Sequence, residues 1–540
     1  MDEHSDQQFD KVIVLQEHQV AERLMEDLLL SDPASPEYTL LLARASMLGT
    51  PILSAVTRRL DAFDPRSLDT LGHILSIYPD VREVVLTLRR TANDHRRSDR
   101  RRMGAVMLLE QVFGLHPPDD FLSTLREPVQ SATGLLLGAL DNHGGSPSVL
   151  RDYLRALVFQ PLDLLYSVLG ALAEAREDRT VDVLCLLALQ PDHELQMGVL
   201  DALANTGTPR ALTALRVLEL TLPEETAHVA NRHLQKLLLS GVEVAPLRAP
   251  DASCRAWLSA IDGRGDRLLW LAAPSTGQQG EFVLLGLLLN DVSGVLDALG
   301  AGGVLLSSLP APSSVGTLHP DLDFTALGVL PSDSSLGEHA GGYLDVPFAY
   351  ALTLLRESVR ANWATGTPLP VEYQLLNPVI WGYAAHIVED AAVDYIPAEV
   401  AREAGQADGA PSSESDLLFD TLFDSWYLEG ESVRAVAQDV SELEGGIPNE
   451  LTDDGWRMLL PALIRLAHEE FGPALRERYA ARLHRMAEWY HIAGKAHACK
   501  MALQCAHTMV ISPPEANLFV LRLVQKGILV ALAENTRYLH

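Results

Sequence analysis

The feature that most constrains this chain is an internal repeat in its first half. VLGALAEAREDRTVDVL (168–184) aligns with VLDALANTGTPRALTAL (199–215). Val168, Leu169, Ala171, Leu172, Ala173, Arg179 and Leu184 return 31 residues later as Val199, Leu200, Ala202, Leu203, Ala204, Arg210 and Leu215. Gln160-Pro161 likewise returns as Gln190-Pro191, just ahead of each unit. Within a unit, Leu165, Val168, Leu169 and Leu172 fall at helical spacing, a polar break follows, and a second apolar helix begins. Two short helices cannot bury their apolar faces alone, so neighbouring pairs must stack into an α-solenoid.

Weaker copies flank the two clear ones, at 135–157 and 225–241, and 64–90 also reads as helix, Pro-Asp break, helix. We expect one solenoid of six or seven helical pairs over 20–242. The VLxALA…PRAxxAL kernel resembles the short HEAT-like repeats first described in phycobilin lyases, and the resemblance implies a HEAT-type α-solenoid. The order of parts is also similar to that of uncharacterised bacterial HEAT-repeat proteins. Those carry a solenoid, then a hairpin like LSAIDGRGDRLLW (258–270), then a segment like GTPLPVEY (366–373). That resemblance brings no activity with it.

After Val242 the period changes. VEVAPLRAPDAS is a Pro-containing linker, and RAWLSAI, DGRGD and RLLWLAA read as strand, tight turn and strand, with Gly263 and Gly265 supplying positive φ. EFVLLGLLLN (281–290) reads as a third strand, apolar on both faces, one of which the last solenoid helices could cover. NDVSGVLDALG reads as a short helix, and 300–345 as a long loop rich in Gly, Ser and Pro. The expected fold is mainly α in three parts. They are the solenoid at 20–242, a small antiparallel β insert or cap with its loop at 243–345, and a C-terminal all-α domain at 346–540. The last carries an acidic insert at about 386–455, with 18 Asp or Glu against Arg402 and Arg434, and 401–416 within it has a disorder-like composition.

Charge narrows the functions. The net charge of −30 opposes binding of nucleic acid or anionic membrane by the chain as a whole. No apolar run approaches the ~20 residues of a membrane span. The acidic start MDEHSDQQFD is unlike a secretory signal, and four scattered cysteines make no disulfide framework, so a cytoplasmic protein is expected. There is no phosphate-binding Gly-rich loop, nucleophile elbow or zinc-protease helix, and no cofactor is expected.

Against this acidic background RRTANDHRRSDRRR stands out. Arg89, Arg90, Arg96, Arg97, Arg100, Arg101 and Arg102 face only Asp94 and Asp99. Guanidinium forks suit bidentate oxyanions, so these seven are the candidate residues for binding an anion or an acidic partner, the acidic insert included. Surface arginines are common, and a solvated loop and helix face fit the same sequence. A histidine-rich helix places His484, Glu488 and His491 on one face, with the Glu-x-x-His form used by di-metal bundles. Its necessary second copy is missing, Glu225-Thr226-Ala227-His228 lying in the solenoid, and Cys499 and Cys505 lack structural-zinc spacing. His319-Pro320-Asp321-Leu322-Asp323 resembles a calcium loop without its glycine and distal Glu, and fits a helix-capping loop better. Trp257, Trp270, Trp363, Tyr373 and Trp381 fit a packed core, or an exposed interface anchor.

The leading function is a non-enzymatic scaffold or adaptor that holds a protein or peptide partner on the solenoid surface. One alternative is nucleic-acid or phosphate binding through the arginines, as in HEAT-like alkylpurine DNA glycosylases. The other is a metal-dependent or lyase-type enzyme with its site near the C-terminal helices.

Overall fold

The computed structural model describes residues 3–31, 35–62, 65–115, 121–141, 154, 157–158, 160–243, 247–251, 253–275, 280–322, 324, 342–385, 395–400, 402, 417, 420–443 and 453–537. The chain is mainly helical with one small antiparallel sheet, and groups into two compact units, 1–219 with 228–244 and 220–227 with 245–540.

The first unit is built from tandem helices: α1 (Glu3–Leu30), α2 (Pro36–Met47), α3 (Thr50–Arg59), α4 (Pro65–Ser76), α5 (Val81–Asn93), α6 (Asp99–Phe113), α7 (Pro128–Asp141), α8 (Leu162–Ala175), α9 (Asp178–Ala188), α10 (His193–Thr206), α11 (Pro209–Thr221) and α12 (Glu224–Leu239). Short polar residues start them as expected of N-caps. Ser35, Asp80, Ser98 and Asp192 each accept a backbone N–H three residues on. The two repeat units are the pairs α8–α9 and α10–α11, whose recurring positions Val168, Leu172, Val199 and Leu203 are fully buried. The recurring arginine reaches backward in both copies. Arg210 bonds Asp182 on α9 at 2.6 Å, and Arg179 approaches the Leu137 carbonyl on α7 at 3.5 Å. At the end of α10 the chain turns at Gly207, φ +65°, but 31 residues earlier Arg176 holds the same left-handed conformation at φ +54°. Most of the weak copy at 135–157 beyond α7 lies outside the described residues.

The second unit is organised by a six-stranded antiparallel sheet: β1 (Arg255–Ser259), β2 (Asp266–Pro274), β3 (Glu281–Asn290), β4 (Gly294–Leu305), β5 (Leu318–His319) and β6 (Tyr343–Val346), in the order β4-β3-β2-β1-β6-β5. Its helices are α13 (Phe348–Thr365), α14 (Val371–Trp381), α15 (Glu431–Leu443), α16 (Asp453–Glu470), α17 (Pro473–Ile492), α18 (Ala496–Ile511) and α19 (Leu518–Arg537).

Four sequence expectations change here. NDVSGVLDALG is not a helix. Asn290 accepts the N–H groups of Val292 and Ser293 in a tight turn, and β4 then pairs along β3, so strand pairing overrides an ambiguous local pattern. The stretch 300–345 is not all loop, because it contributes the end of β4 and the strands β5 and β6. A boundary after residue 345 would cut β6, an inner strand hydrogen-bonded to β1, so sheet and following helices form one unit. Finally, 420–443 of the acidic stretch are built into the core, with Phe423 and Trp426 fully buried and the Trp426 indole N–H on the Ile261 carbonyl at 3.1 Å. The segment 403–416 lies outside the described residues.

Period-2 alternation divides the sheet faces. Trp257, Leu268, Trp270 and Ala272 join Phe324 and Tyr343 in an aromatic cluster on one face, while Arg267, Leu269 and Leu271 fall on the other. Helices α13 and α14 pack against β3 and β4 within this unit.

The hairpin of the DGRGD turn is explained by packing. Only Gly265 has a positive φ, +93°, whereas Gly263 is required by proximity, since a Cβ there would lie 2.3 Å from the Ser425 carbonyl oxygen. Asp262 accepts the N–H groups of Arg264 and Asp266, and Arg482, 5% exposed, donates to the Gly263 and Arg264 carbonyls and to Asp291. GTPLPVEY is likewise structural. Gly366 ends α13 at φ +70°, Pro370 precedes α14, and the buried Tyr373 hydroxyl accepts the Trp381 indole N–H at 3.0 Å.

Candidate functional site

The seven arginines occupy one corner, the end of α5, the connecting loop and the start of α6. Arg90 sits in the last turn of α5, where the helix dipole favours cations, and Arg89 just before it. Arg100, Arg101 and Arg102 sit in the first turn of α6, where the dipole opposes them, and Arg101 and Arg102 have compensating partners.

The structure separates the seven into two groups. Arg102, 2% exposed, is a strut. It donates to the Ala92 carbonyl at 2.8 Å, the Thr124 carbonyl at 2.9 Å and the Thr124 hydroxyl at 2.7 Å. Arg101 pairs with Asp61 at 3.0 Å, and Arg97 with Asp94 at 3.1 Å. The backbone N–H of Arg96, then the Arg97 guanidinium, hold the Asp94 carboxyl below its ordinary pKa. Asp99 accepts the N–H groups of Arg126 and Glu127 at 2.8 and 2.9 Å. The local carboxylates are therefore committed. Arg89, Arg90, Arg96 and Arg100 remain exposed, and among the described residues their guanidinium groups make no hydrogen bond or ion pair, although the Arg96 charge also stabilises the Asp94 carboxylate.

Sequence reasoning missed two neighbouring features. Arg126 joins the patch, its guanidinium on the His95 carbonyl at 2.8 Å. Beginning at Glu127, an open groove of about 610 Å³ runs between α7 and α8, lined by Val129, Thr133, Gly134, Leu137 and Ala171. Arg126 and Glu127 are both tied to Asp99, so the apolar groove starts at the edge of the arginine patch. No local sequence signal connects 89–102 with 126–137; the hydrogen bonds of Arg126 and Glu127 to Asp99 and His95 do.

The remaining candidates resolve differently. Glu488 is bound by Arg485 at 2.9 and 3.1 Å and by the Tyr350 hydroxyl at 2.7 Å, while His484 on the same face is exposed. Cys499 and Cys505 are buried thiols, whereas His497 and His507 are exposed, so these side chains do not converge. Among the described residues no three His, Cys, Asp or Glu side chains are grouped as metal ligands. His319 lies in β5 rather than in a capping loop, and its Nε2 meets Asp345 Oδ2 at 2.8 Å and the Ser313 hydroxyl at 3.1 Å; Asp323 lies outside the described residues. Ser313 also bonds Asp345 directly. Serine, histidine and aspartate thus meet at one carboxylate oxygen, whereas an acyl-transfer relay divides acid and hydroxyl between the two ring nitrogens. Trp257, Trp270, Tyr373 and Trp381 are buried in the core.

Sequence reasoning also passed over a partly buried ionic group. Arg485 on α17 binds both Glu488 and Glu357, the latter from α13, and Tyr350 and Arg267 complete the cluster. Burial disfavours the charge of Arg485, but Glu488 and Glu357 hold it firmly protonated. Burial, then the Glu488 charge, push the Tyr350 hydroxyl well above its ordinary pKa.

Among the described residues no single helix is long and apolar enough to cross a membrane. No protein-family model matches the chain, and no curated protein matches it. Among solved structures it is similar to human deoxyhypusine hydroxylase in complex with glycerol, at 14% identity over 41% of this chain and 98% of that one, with a TM-score of 0.14.

Proposed function

We propose that the N-terminal unit is a HEAT-like repeat scaffold that binds a protein partner, and that the partner presents an acidic segment with an apolar side to the corner of α5, α6 and α7. The observation that carries this reading is the set of four exposed arginines, Arg89, Arg90, Arg96 and Arg100, in the corner whose Asp99 and His95 hold Arg126 and Glu127, where an apolar groove begins. Charge draws an acidic segment to the patch, and the groove between α7 and α8 takes its apolar side chains, so neither feature acts alone. The protein acts as an adaptor, without a reaction of its own. The four buried free thiols suit a reducing, cytoplasmic setting.

The test uses a fluorescein-labelled amphipathic peptide with glutamate on one face and leucine on the other, followed by fluorescence anisotropy at several salt concentrations. Affinity should fall with salt, and Arg89, Arg90, Arg96 and Arg100 replaced together by Ala should weaken binding at least about tenfold, with an unchanged thermal midpoint. Labelled DNA and RNA oligonucleotides form the second arm, because an arginine patch also suits phosphates. Tighter binding of an oligonucleotide than of the peptide would replace the adaptor reading with nucleic-acid binding. Unchanged peptide affinity in the quadruple variant would remove the arginines from the site.

A further inference from the structure

The weak repeat copy that begins in α7 departs from the next copy at two adjacent positions, and both line the apolar groove. LLGAL (136–140) aligns with VLGAL (168–172), an offset of 32 residues. At that offset Thr133 stands for Leu165, and Gly134 stands for Tyr166. On α8 Leu165 is buried, and the half-exposed Tyr166 ring lies across the neighbouring helix α10. A Cβ on Gly198 would come within 2.6 Å of that ring. The seam between α8 and α10 is therefore covered by an aromatic side chain of the repeat itself. On α7 the same two positions carry small residues, and the groove of about 610 Å³ lies open beside Val129, Thr133, Gly134, Leu137 and Ala171.

Neither small residue is required by the helix. Glycine inside a helix weakens it, yet Gly134 has no positive φ, and a Cβ there would meet nothing within 4 Å. Thr133 stands at a core position, and its hydroxyl oxygen is buried without a hydrogen-bond partner. Local rules of this kind are broken mainly where a site needs it. We propose that the groove receives a tyrosine side chain of the acidic partner segment, in the place that the next copy fills with Tyr166. This inference rests on the adaptor reading above and names the side chain that anchors the partner. A tyrosine ring suits the apolar lining, loses little rotamer freedom on docking, and brings a hydroxyl to the wall that holds Thr133. Glu127, at the start of the groove, repels a carboxylate there, so the acidic residues of the segment stay with the arginines while the uncharged ring enters.

The test fills the groove from within. Two fluorescein-labelled peptides share the same glutamate face and carry either tyrosine or alanine at the central apolar position. By fluorescence anisotropy the full chain should bind the tyrosine peptide at least about fivefold tighter than the alanine peptide. Gly134→Tyr should abolish that preference and leave the alanine peptide's affinity and salt dependence unchanged, because the arginines are untouched. Gly134→Ala, which stiffens the helix and leaves the groove open, should keep the preference. Should Gly134→Tyr not fold, Gly134→Leu takes its place. Equal affinity of the two peptides for wild type, or a tyrosine preference that survives in Gly134→Tyr, overturns the proposal. Should neither peptide bind, the adaptor reading falls, and p-cresol, the uncharged side chain of tyrosine, reads the groove alone. Its saturation-transfer NMR signal with the full chain should fall at least about twofold in Gly134→Tyr and persist in Gly134→Ala. Absence of that signal with wild type, or an unchanged one in Gly134→Tyr, overturns the aromatic site as well.

Discussion

Replacing Arg102 by methionine removes the guanidinium that holds the end of α5 and the 121–125 turn onto the start of α6, while the alkyl volume stays. Its three hydrogen bonds, at 2.7–2.9 Å, include two to backbone carbonyls, of Ala92 and Thr124, which the substitution leaves without this donor. Hydrogen bonds to charged groups contribute about 1.5–3 kcal/mol each, but the sum overstates the loss because the variant no longer buries a charge. Three such bonds at the lower end of that range, less the relief of the charge no longer buried, leave about 3–4 kcal/mol expected here. With a urea slope of about 2–3 kcal/mol/M, the midpoint followed by circular dichroism should fall by about 1–2 M. Arg100→Met, on the next exposed position of the same turn, should shift it by less than about 0.3 M, since surface substitutions usually stay within ~0.5 kcal/mol. Equal shifts for the two variants, or no shift for Arg102→Met, would refute the division of this cluster into struts and free groups.

Two further outcomes follow from the repeat. Arg176→Gly relieves a left-handed non-glycine residue at the position where the next copy carries Gly207, and should raise stability by about 0.5–1 kcal/mol. A lower urea midpoint would contradict it. Burial, then the Asp182 charge, push the Cys185 thiol up to about 12. An unfolded thiol ionises near ~8.5, so the stability from keeping Cys185 neutral is complete below that pH and is lost as pH rises toward the folded value. The wild-type urea midpoint should therefore fall more steeply between about pH 8 and about pH 10.5 than that of Cys185→Ala; parallel profiles would exclude this thiol as the cause.

The paired helices at 162–221 were legible because the 31-residue recurrence and the helical spacing of Val168, Leu172, Val199 and Leu203 agree. The β1–β2 hairpin was legible from its Gly-containing turn. β4 was not, because its VLDALG pattern suits either element and only pairing with β3 decides. The acidic stretch misled by composition: its charges hide Phe423 and Trp426, two fully buried anchors.

By itself the sequence determined the helical class, the stacking of repeats and the presence of a concentrated positive charge, because periodicity and charge are properties of neighbours along the chain. Tertiary structure alone decided which charges remain available. Asp61, Asp94, Thr124 and Ala92 take Arg97, Arg101 and Arg102 out of the unpaired set, while the segment leading into α7 brings Arg126 and the start of a groove to the remainder. The same holds for Arg482, whose guanidinium binds Asp291 and the Gly263–Arg264 turn only once folding brings α17 to the hairpin. An ion pair is a matter of distance in space, and its partners here lie up to 191 residues apart in the chain (Asp291 to Arg482).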